Sequence, residues 1–203
     1  MIGPVYVITD AAAPLPVREQ ARAAARGGAG AVQLRDKHAR DGDLVDLARA
    51  LLADLRPLGV KLIINDRLEV ALASGADGLH IGQGDSDPLH ARARLGPGKL
   101  LGLSVETQAQ GAVVPSCVDY IGVGPVRATA TKPDHAAPVG MDGLAAIIAG
   151  ANCPAFAIGG LSAGDARAVK RAGAAGLAIV SAIVRAPDPE AATRAFCEEW
   201  RQA

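Results

Sequence analysis

Two carboxylates, Asp66 and Asp85, stand where short apolar segments give way to polar residues. Those segments run from 61 to 64 and from 77 to 81, with a helix-sized stretch between them. A β-α-β pattern of this kind makes the two strands parallel, so both carboxylates follow strand carboxyl ends, where α/β proteins bind ligands. A turn role explains either Asp alone, but the pair, with Asn65 adjacent, favours a site for a hard cation such as Mg²⁺.

A second charged group lies in the segment 32–37, which reads Val-Gln-Leu-Arg-Asp-Lys. Alternate residues of a strand face the same side, so Gln33, Arg35 and Lys37 share one face. A charged strand end that is merely solvated is the simpler alternative. Unpaired Arg and Lys side chains inside a closed barrel are costly, however, so the pattern favours an anion site containing Arg35 and Lys37.

Two hydroxyls and an ammonium lie close together in a long segment from about 124 to 139. They belong to Thr129, Thr131 and Lys132, and Ala130 separates the threonines. A flexible, solvated loop explains them equally well in isolation. Long ordered loops are usually functional, so this segment is a candidate site.

The last two strand-like segments end in residues suited to phosphate. Gly159 and Gly160 follow one of them, and Val180 and Ser181 follow the other. Barrels often bind phosphate on backbone N–H groups at these two positions. Tight turns alone would explain the glycines, but together with Ser181 they favour a phosphate site.

All of these residues require a scaffold of alternating strands and helices. Short apolar segments rich in Val, Ile or Leu begin near Val5, Ala31, Lys61, Gly78, Leu100, Asp119, Ala155 and Gly176. Eight strand-then-helix units indicate an α/β fold, a single (β/α)8 TIM barrel, rather than an open sheet. We expect the 203 residues to form one catalytic domain.

Helix boundaries are also readable. A stripe of leucines from 44 to 55 predicts a helix that Asp41 or Asp43 would cap. Ser162 and Asp165 have the spacing of a capping box, and Asp188 precedes a proline suited to a first helical position.

Composition excludes several classes of function. Basic and acidic residues number 21 each, so no net field attracts nucleic acid or an anionic membrane. Three widely separated cysteines form no Cys-x-x-Cys pair, and neither a signal peptide nor an apolar run of about 18 residues is present, which predicts a cytoplasmic protein. The four histidines lack metal-ligand spacing, and we interpret His80 as a packing or hydrogen-bonding residue. Two anion sites without an obvious nucleophile suggest displacement of a phosphorylated leaving group.

Seven motifs then occur in order: VQLRDK, IINDR, GLHIGQGD, GLSVET, DYIGVGPVRATATK, AIGGL and IVSAI. At this spacing, from about Val5 to Phe196, the chain resembles the thiamine-phosphate synthase family. The resemblance implies a Mg²⁺-assisted transferase that joins a pyrimidine-methyl diphosphate to a thiazole phosphate and releases pyrophosphate. In that family the C–O bond breaks largely before the thiazole nitrogen attacks. The implied partners are these small molecules and a possible second copy of the chain.

The resemblance also implies a role for individual residues. The pyrimidine diphosphate would contact Gln33, Leu34, Arg35, Asp36, Lys37, Asn65 and Ser104, and Mg²⁺ would contact Asp66 and Asp85. The thiazole phosphate would contact Thr129, Ala130, Thr131, Gly160, Val180 and Ser181. Lys132 would reach the diphosphate, and the catalytic set would be Arg35, Lys37, Ser104 and Lys132.

Three positions depart from the family pattern and affect the expected contacts of the fifth and sixth loops, and two alternative functions are also open. Ala130 replaces a common proline, Glu106 a common histidine and Arg127 a common aromatic residue. A thiazole tautomerase on the same barrel would use a histidine near the position of Pro125. A barrel that binds thiamine precursors without turnover is the second alternative, and retention of the whole diphosphate set argues against it.

Overall fold

A computed structural model of the protein describes residues 2–129 and 136–203. Eight parallel strands form a closed barrel in chain order, and the eighth pairs with the first. The strands are β1 (Val5–Ile8), β2 (Ala31–Leu34), β3 (Lys61–Asn65), β4 (Gly78–Ile81), β5 (Leu100–Val105), β6 (Tyr120–Val123), β7 (Ala155–Ile158) and β8 (Gly176–Ile179). The expected (β/α)8 barrel is confirmed, and only β6 begins one residue later than expected.

Helices connect the strands on the outside of the barrel. They are α1 (Val17–Arg26), α2 (Asp41–Leu55), α3 (Leu68–Ser74), α4 (Pro88–Leu95), α5 (Gln108–Ala112), α6 (Gly140–Gly150), α7 (Ala166–Arg171), α8 (Ser181–Val184) and α9 (Pro189–Gln202). Single 3-10 turns occupy Arg56–Leu58 and Ala163–Asp165. Within 2–129 and 136–203, no helix combines the length and the apolar character needed to cross a membrane.

Two of the three expected helix caps are present. Ser162 and Asp165 form a capping box, and the Asp188 carboxylate accepts a hydrogen bond from the N–H of Ala191 at the start of α9. The cap expected for α2 is wrong, because the helix begins at Asp41 itself and Arg40 precedes it without a side-chain cap. The carboxylates of Asp41 and Asp43 instead pair with arginines.

Successive side chains of each strand point to opposite faces of the sheet, and they form two separate hydrophobic clusters. In β1, Val5 and Val7 face outward and pack under the helices, whereas Tyr6 and Ile8 face the barrel axis. The axial cluster consists of Tyr6, Ile8, Ala31, Ile63, Tyr120, Phe156 and Ala178. Gly102 makes room for it, because a Cβ at this position would clash with Tyr120 and His80. The chain has two tyrosines and two phenylalanines, and three of these four rings therefore fill the barrel interior.

Candidate functional site

A cavity of about 440 Å³ opens at the carboxyl ends of the strands. This volume lies within the range of about 300–1,000 Å³ that small-molecule sites occupy. Eleven residues expected at the site line it: Gln33, Arg35, Lys37, Asn65, Asp66, Asp85, Ser104, Thr129, Gly160, Val180 and Ser181. The fold therefore brings together residues from the second to the eighth strand and the loops that follow them.

Two of the expected residues, Leu34 and Asp36, are not among the residues that line the cavity. Leu34 is 2% exposed and packs in the outer cluster, because its strand neighbours occupy the inward positions. The Asp36 carboxylate instead accepts hydrogen bonds from the backbone N–H groups of the two residues that follow Lys37. The expected positions Ala130, Thr131 and Lys132 fall outside the described residues.

The two carboxylates expected to bind a cation lie side by side. Asp66 has a left-handed backbone with a φ of 61°, and its N–H donates to the carbonyl of His80 in β4 over 2.8 Å. Burial raises the pKa of Asp66 to about 6, and the hydrogen-bonded, negatively charged Asp85 adds to this effect, while Lys37 opposes it. Two carboxylates this close repel each other when both are ionised, so a bound cation would relieve the repulsion.

A magnesium ion fits this pair of carboxylates. Across the two described segments, no group of three or more His, Cys, Asp or Glu side chains is placed to hold a metal. Mg²⁺ usually keeps several waters and binds one or two carboxylates together with substrate phosphates. A pair of carboxylates, one partly buried and one exposed, suits an ion that a phosphorylated substrate completes.

The cationic side of the cavity is built on the end of β2. The backbone N–H of Arg35 donates to the hydroxyl of Thr9 over 3.1 Å, and Thr9 is fully buried. Arg35 and Lys37 both line the cavity, and the charge of Lys37 reaches Asp66. Positive side chains and a carboxylate pair thus face the same space, which would suit an anion bound together with a divalent cation.

The floor of the cavity is a chain of hydrogen-bonded side chains. The Gln33 amide donates to the Tyr6 hydroxyl over 2.6 Å, and the hydroxyls of Tyr6 and Tyr120 lie 3.0 Å apart. His80 contacts Tyr120 through Nδ1 at 3.2 Å and Ser104 through Nε2 at 3.0 Å. We name this set the floor chain.

One direction of donation along the floor chain satisfies all of its groups. Burial lowers the pKa of His80 to about 4, so its ring is neutral at pH 7 and donates from a single nitrogen. Every hydroxyl finds a partner if Tyr6 donates to Tyr120 and Tyr120 donates to Nδ1. His80 Nε2–H then donates to Ser104, which leaves the Ser104 proton for a ligand in the cavity.

The contribution of the two tyrosines to the site was not predicted from the sequence. Tyr6 and Tyr120 lie in strands that are buried on both faces, so composition alone does not distinguish inward from outward positions. The scarcity of aromatic residues was the available signal. The interpretation of His80 as a hydrogen-bonding strand residue is confirmed.

Replacing Tyr120 by Phe should destabilise the protein by about 1–3 kcal/mol, since Tyr6 and His80 both lose a buried partner. Urea unfolding of the variant measures this loss. The double variant Tyr6→Phe/Tyr120→Phe should cost less than the sum of the single variants, because the hydroxyls share one bond. Strictly additive losses would contradict a connected chain.

The opposite side of the cavity is formed by the loops after β7 and β8. Gly159 and Gly160 have φ values of 96° and 65°, and a Cβ at Gly159 would clash with Pro125. The N–H of Arg127 donates to the Gly159 carbonyl over 3.1 Å, and its guanidinium forms two hydrogen bonds with Asp165. Arg127, which replaces a common aromatic residue, therefore holds the loop after β6 against the glycine pair.

Comparison with known proteins agrees with this architecture. The family model described as "Thiamine monophosphate synthase" matches residues 5–183. A protein of Roseiflexus sp. named thiamine-phosphate synthase is 48% identical over 96% of this chain and 84% of its own. A protein of the same name from Xanthobacter autotrophicus is 50% identical, over 95% of this chain and 92% of its own.

Solved structures give the same result. The thiamine phosphate pyrophosphorylase of Pyrococcus furiosus superposes with a TM-score of 0.89 at 31% identity, over 98% of this chain and 96% of its own. A 3-hexulose-6-phosphate synthase superposes with a TM-score of 0.70 at 18% identity, which shows a shared barrel fold.

Proposed function

This chain belongs to the thiamine monophosphate synthase family, and from that premise we propose how its cavity carries out the reaction. The chain is an enzyme, a transferase that forms thiamine phosphate from small-molecule substrates. In our proposal a pyrimidine-methyl diphosphate and a thiazole phosphate bind side by side. The observation that carries this is one cavity lined by Lys37 and the Asp66–Asp85 pair on one side and by Gly160 and Ser181 on the other.

The diphosphate occupies the cationic side. Arg35 and Lys37 pair with its oxygens, and Asp66 and Asp85 would hold Mg²⁺. When bound, Mg²⁺ supplies positive charge that stabilises the leaving pyrophosphate. The C–O bond between the pyrimidine methylene and the diphosphate breaks, and the electron pair leaves with pyrophosphate. Fixed positive charges at the point where negative charge develops are an effective form of catalysis.

The pyrimidine ring lies over the floor chain. Ser104 offers its proton and Gln33 its remaining amide groups, which suit the mixed donor and acceptor edge of an aminopyrimidine. Asn65, at the end of β3, borders the same space. These neutral groups orient the ring without competing with the cation that forms on its methylene group.

The thiazole phosphate occupies the side formed by the last two loops. Gly160 and Val180 allow the phosphate to approach the backbone, and the Ser181 hydroxyl adds a hydrogen bond. Thr129 contacts the thiazole, and we keep the expected contacts of Ala130, Thr131 and Lys132 as predictions. The thiazole nitrogen then attacks the methylene carbon and forms the new C–N bond.

The residue at position 125, a proline, argues against the tautomerase alternative. It lines the cavity near the position where that relative uses a histidine, and a proline side chain has no group that can transfer a proton. A tautomerase also binds no diphosphate, so it would not need the carboxylates and cationic side chains on the diphosphate side of the cavity.

We further propose that the chain works as a single catalytic domain in the cytoplasm, without nucleic acid or membrane partners. The equal numbers of acidic and basic residues and the three free cysteines support this environment. A homo-oligomer is compatible with the proposal.

The decisive experiment mixes purified protein with both substrates and Mg²⁺ and follows thiamine phosphate by chromatography. We expect product that disappears when a chelator is added and returns with excess Mg²⁺. Absence of product, with both substrates still bound, would replace the proposal with the precursor-binding barrel.

Replacing Ser181 by Ala should raise the KM for thiazole phosphate by about 2–10-fold, since one neutral hydrogen bond contributes about 0.5–1.5 kcal/mol. Steady-state kinetics with each substrate varied in turn measures this, and kcat should change little. Ser116→Ala is the matched control, because Ser116 is exposed and does not line the cavity. A large fall in kcat with an unaltered thiazole KM would contradict the assignment.

A further inference from the structure

Arg67 organises the segment that carries Lys37. Its guanidinium donates to three main-chain carbonyls, those of Ala39 at 2.6 Å, Lys37 at 2.9 Å and Asp36 at 3.3 Å. It also donates to the Asp41 carboxylate over 2.6 Å. Arg67 does not line the cavity, so these four contacts lie behind the cationic side.

The contacts depend on the shape of the guanidinium. Its planar fork presents several N–H donors in fixed directions, which a lysine ammonium does not reproduce. In the part of the chain that the structure describes, every hydrogen bond joining residues 36–40 to another loop comes from Arg67. The bonds of the Asp36 carboxylate stay within its own turn. Arg67 is therefore the polar anchor of this segment.

The backbone of Arg67 is fixed beside Asp66, one of the two carboxylates. Arg67 directly follows Asp66, and its N–H donates to the Asn65 carbonyl over 2.7 Å. The left-handed turn at Asp66 is held in turn by the His80 carbonyl of β4. One residue thus connects the loop after β3, which carries Asp66, with the loop after β2, which carries Lys37.

We infer that Arg67 is a positioning residue that fixes Lys37 relative to the Asp66–Asp85 pair, so that both reach one diphosphate. The inference rests on the proposed function in that Lys37 contacts the diphosphate. A loop ordered before binding loses less conformational freedom when the ligand arrives, and affinity rises accordingly. Without Arg67 the segment has to order itself around each diphosphate.

The test uses inorganic pyrophosphate with Mg²⁺ as the probe, and calorimetry measures its affinity for the folded enzyme. Arg67→Met removes the donors and keeps the aliphatic stem, and Arg67→Lys keeps the charge without the fork. Arg40→Met is the matched control, because Arg40 lies in the same segment, is 85% exposed and pairs only with Asp43 among the described residues.

We expect both Arg67 variants to bind pyrophosphate about tenfold more weakly or worse, and Arg40→Met to stay within about twofold of the wild type. The KM for thiazole phosphate should not change in any of them. Hydrogen exchange at residues 36–40 should accelerate in the Arg67 variants alone, which a general loss of charge would not cause.

Three results would overturn the inference. The first is wild-type affinity for pyrophosphate in Arg67→Met. The others are wild-type affinity in Arg67→Lys and an equal loss of affinity in Arg40→Met, because charge alone would then explain the result. Should Arg67→Met fail to fold, Arg67→Lys carries the same test. Failure of the proposed function is a separate result, namely no thiamine phosphate from the wild type, and the pyrophosphate measurement still reports on Arg67 in that case.

Discussion

Replacing Asp66 by Asn is expected to lower kcat/KM for thiamine phosphate formation by about 10²–10⁴-fold, because a metal ion contributes several kcal/mol of charge stabilisation at the leaving group. The Asn amide is neutral and cannot replace a carboxylate toward Mg²⁺. Asn also tolerates the left-handed backbone at this position, with its φ of 61°, so the loop keeps its shape. Steady-state kinetics over a range of Mg²⁺ concentrations measures the loss.

Asp46→Asn is the matched control for this substitution. Asp46 lies on α2 with a side chain that is 83% exposed, and its change should leave kinetics untouched. If Asp66→Asn retained the wild-type rate and the wild-type dependence on Mg²⁺, the assignment of the carboxylate pair to the metal would be wrong.

The same variant gives a second readout without substrate or metal. The pKa of Asp66 in the folded protein, about 6, lies above its unfolded value of 3.8. Its contribution to stability is therefore present below the unfolded pKa and is lost as the pH rises through the folded pKa. Metal-free Asp66→Asn should consequently melt at a higher temperature than the wild type at about pH 8, and the difference should close near pH 4. The groups facing Asp66 are Asp85, Lys37 and Asn65.

Replacing Lys37 by Met should lower kcat/KM for the pyrimidine diphosphate by about 10–100-fold, since a hydrogen bond to a charged group contributes about 1.5–3 kcal/mol. Met keeps most of the aliphatic chain, so the change removes the charge rather than the packing. Part of the loss should appear in kcat, because the charge on the diphosphate increases as its bond to carbon breaks. Kinetics with each substrate varied in turn separates the two parameters.

Lys61→Met is the control for that experiment. Lys61 begins β3 at the opposite end of the barrel, and its side chain is 45% exposed beside Asp77. It should not alter either KM. A loss in Lys37→Met that appeared equally in the KM for thiazole phosphate would point to general disturbance of the cavity and contradict a specific role at the diphosphate.

The barrel and most of the cavity were predictable because each depends on local patterns. Short apolar segments separated by helical stretches determine the number and direction of the strands, and polar residues after Lys61–Asn65 and Gly78–Ile81 mark the strand ends. Leu34 and Asp36 do not line the cavity, because alternate residues of a strand face opposite sides, and their expected contacts with the diphosphate stay a prediction.

The contacts of Arg67, the inward direction of Tyr6 and the start of α2 could not be predicted from the sequence. Arg67 acts on main-chain carbonyls, and every residue type supplies these equally, so no sequence signal identifies its targets. The inward direction of Tyr6 follows from barrel closure, which the residues of β1 alone do not reveal. The caps expected at Asp41 and Asp43 are wrong because α2 begins at Asp41 itself, one residue earlier than a cap at Asp41 would allow, and both carboxylates pair with arginines.

The floor chain has a consequence for how the enzyme can diverge. In the arrangement that gives every hydroxyl a partner, donation runs from Gln33 towards Ser104, and the five side chains come from five different strands. A substitution that reverses donation at one end leaves a buried hydroxyl or ring nitrogen unpaired further along, at a cost of about 1–3 kcal/mol. A change of heterocycle at the floor therefore requires compensating replacements on separate strands, and single substitutions there should show strong epistasis.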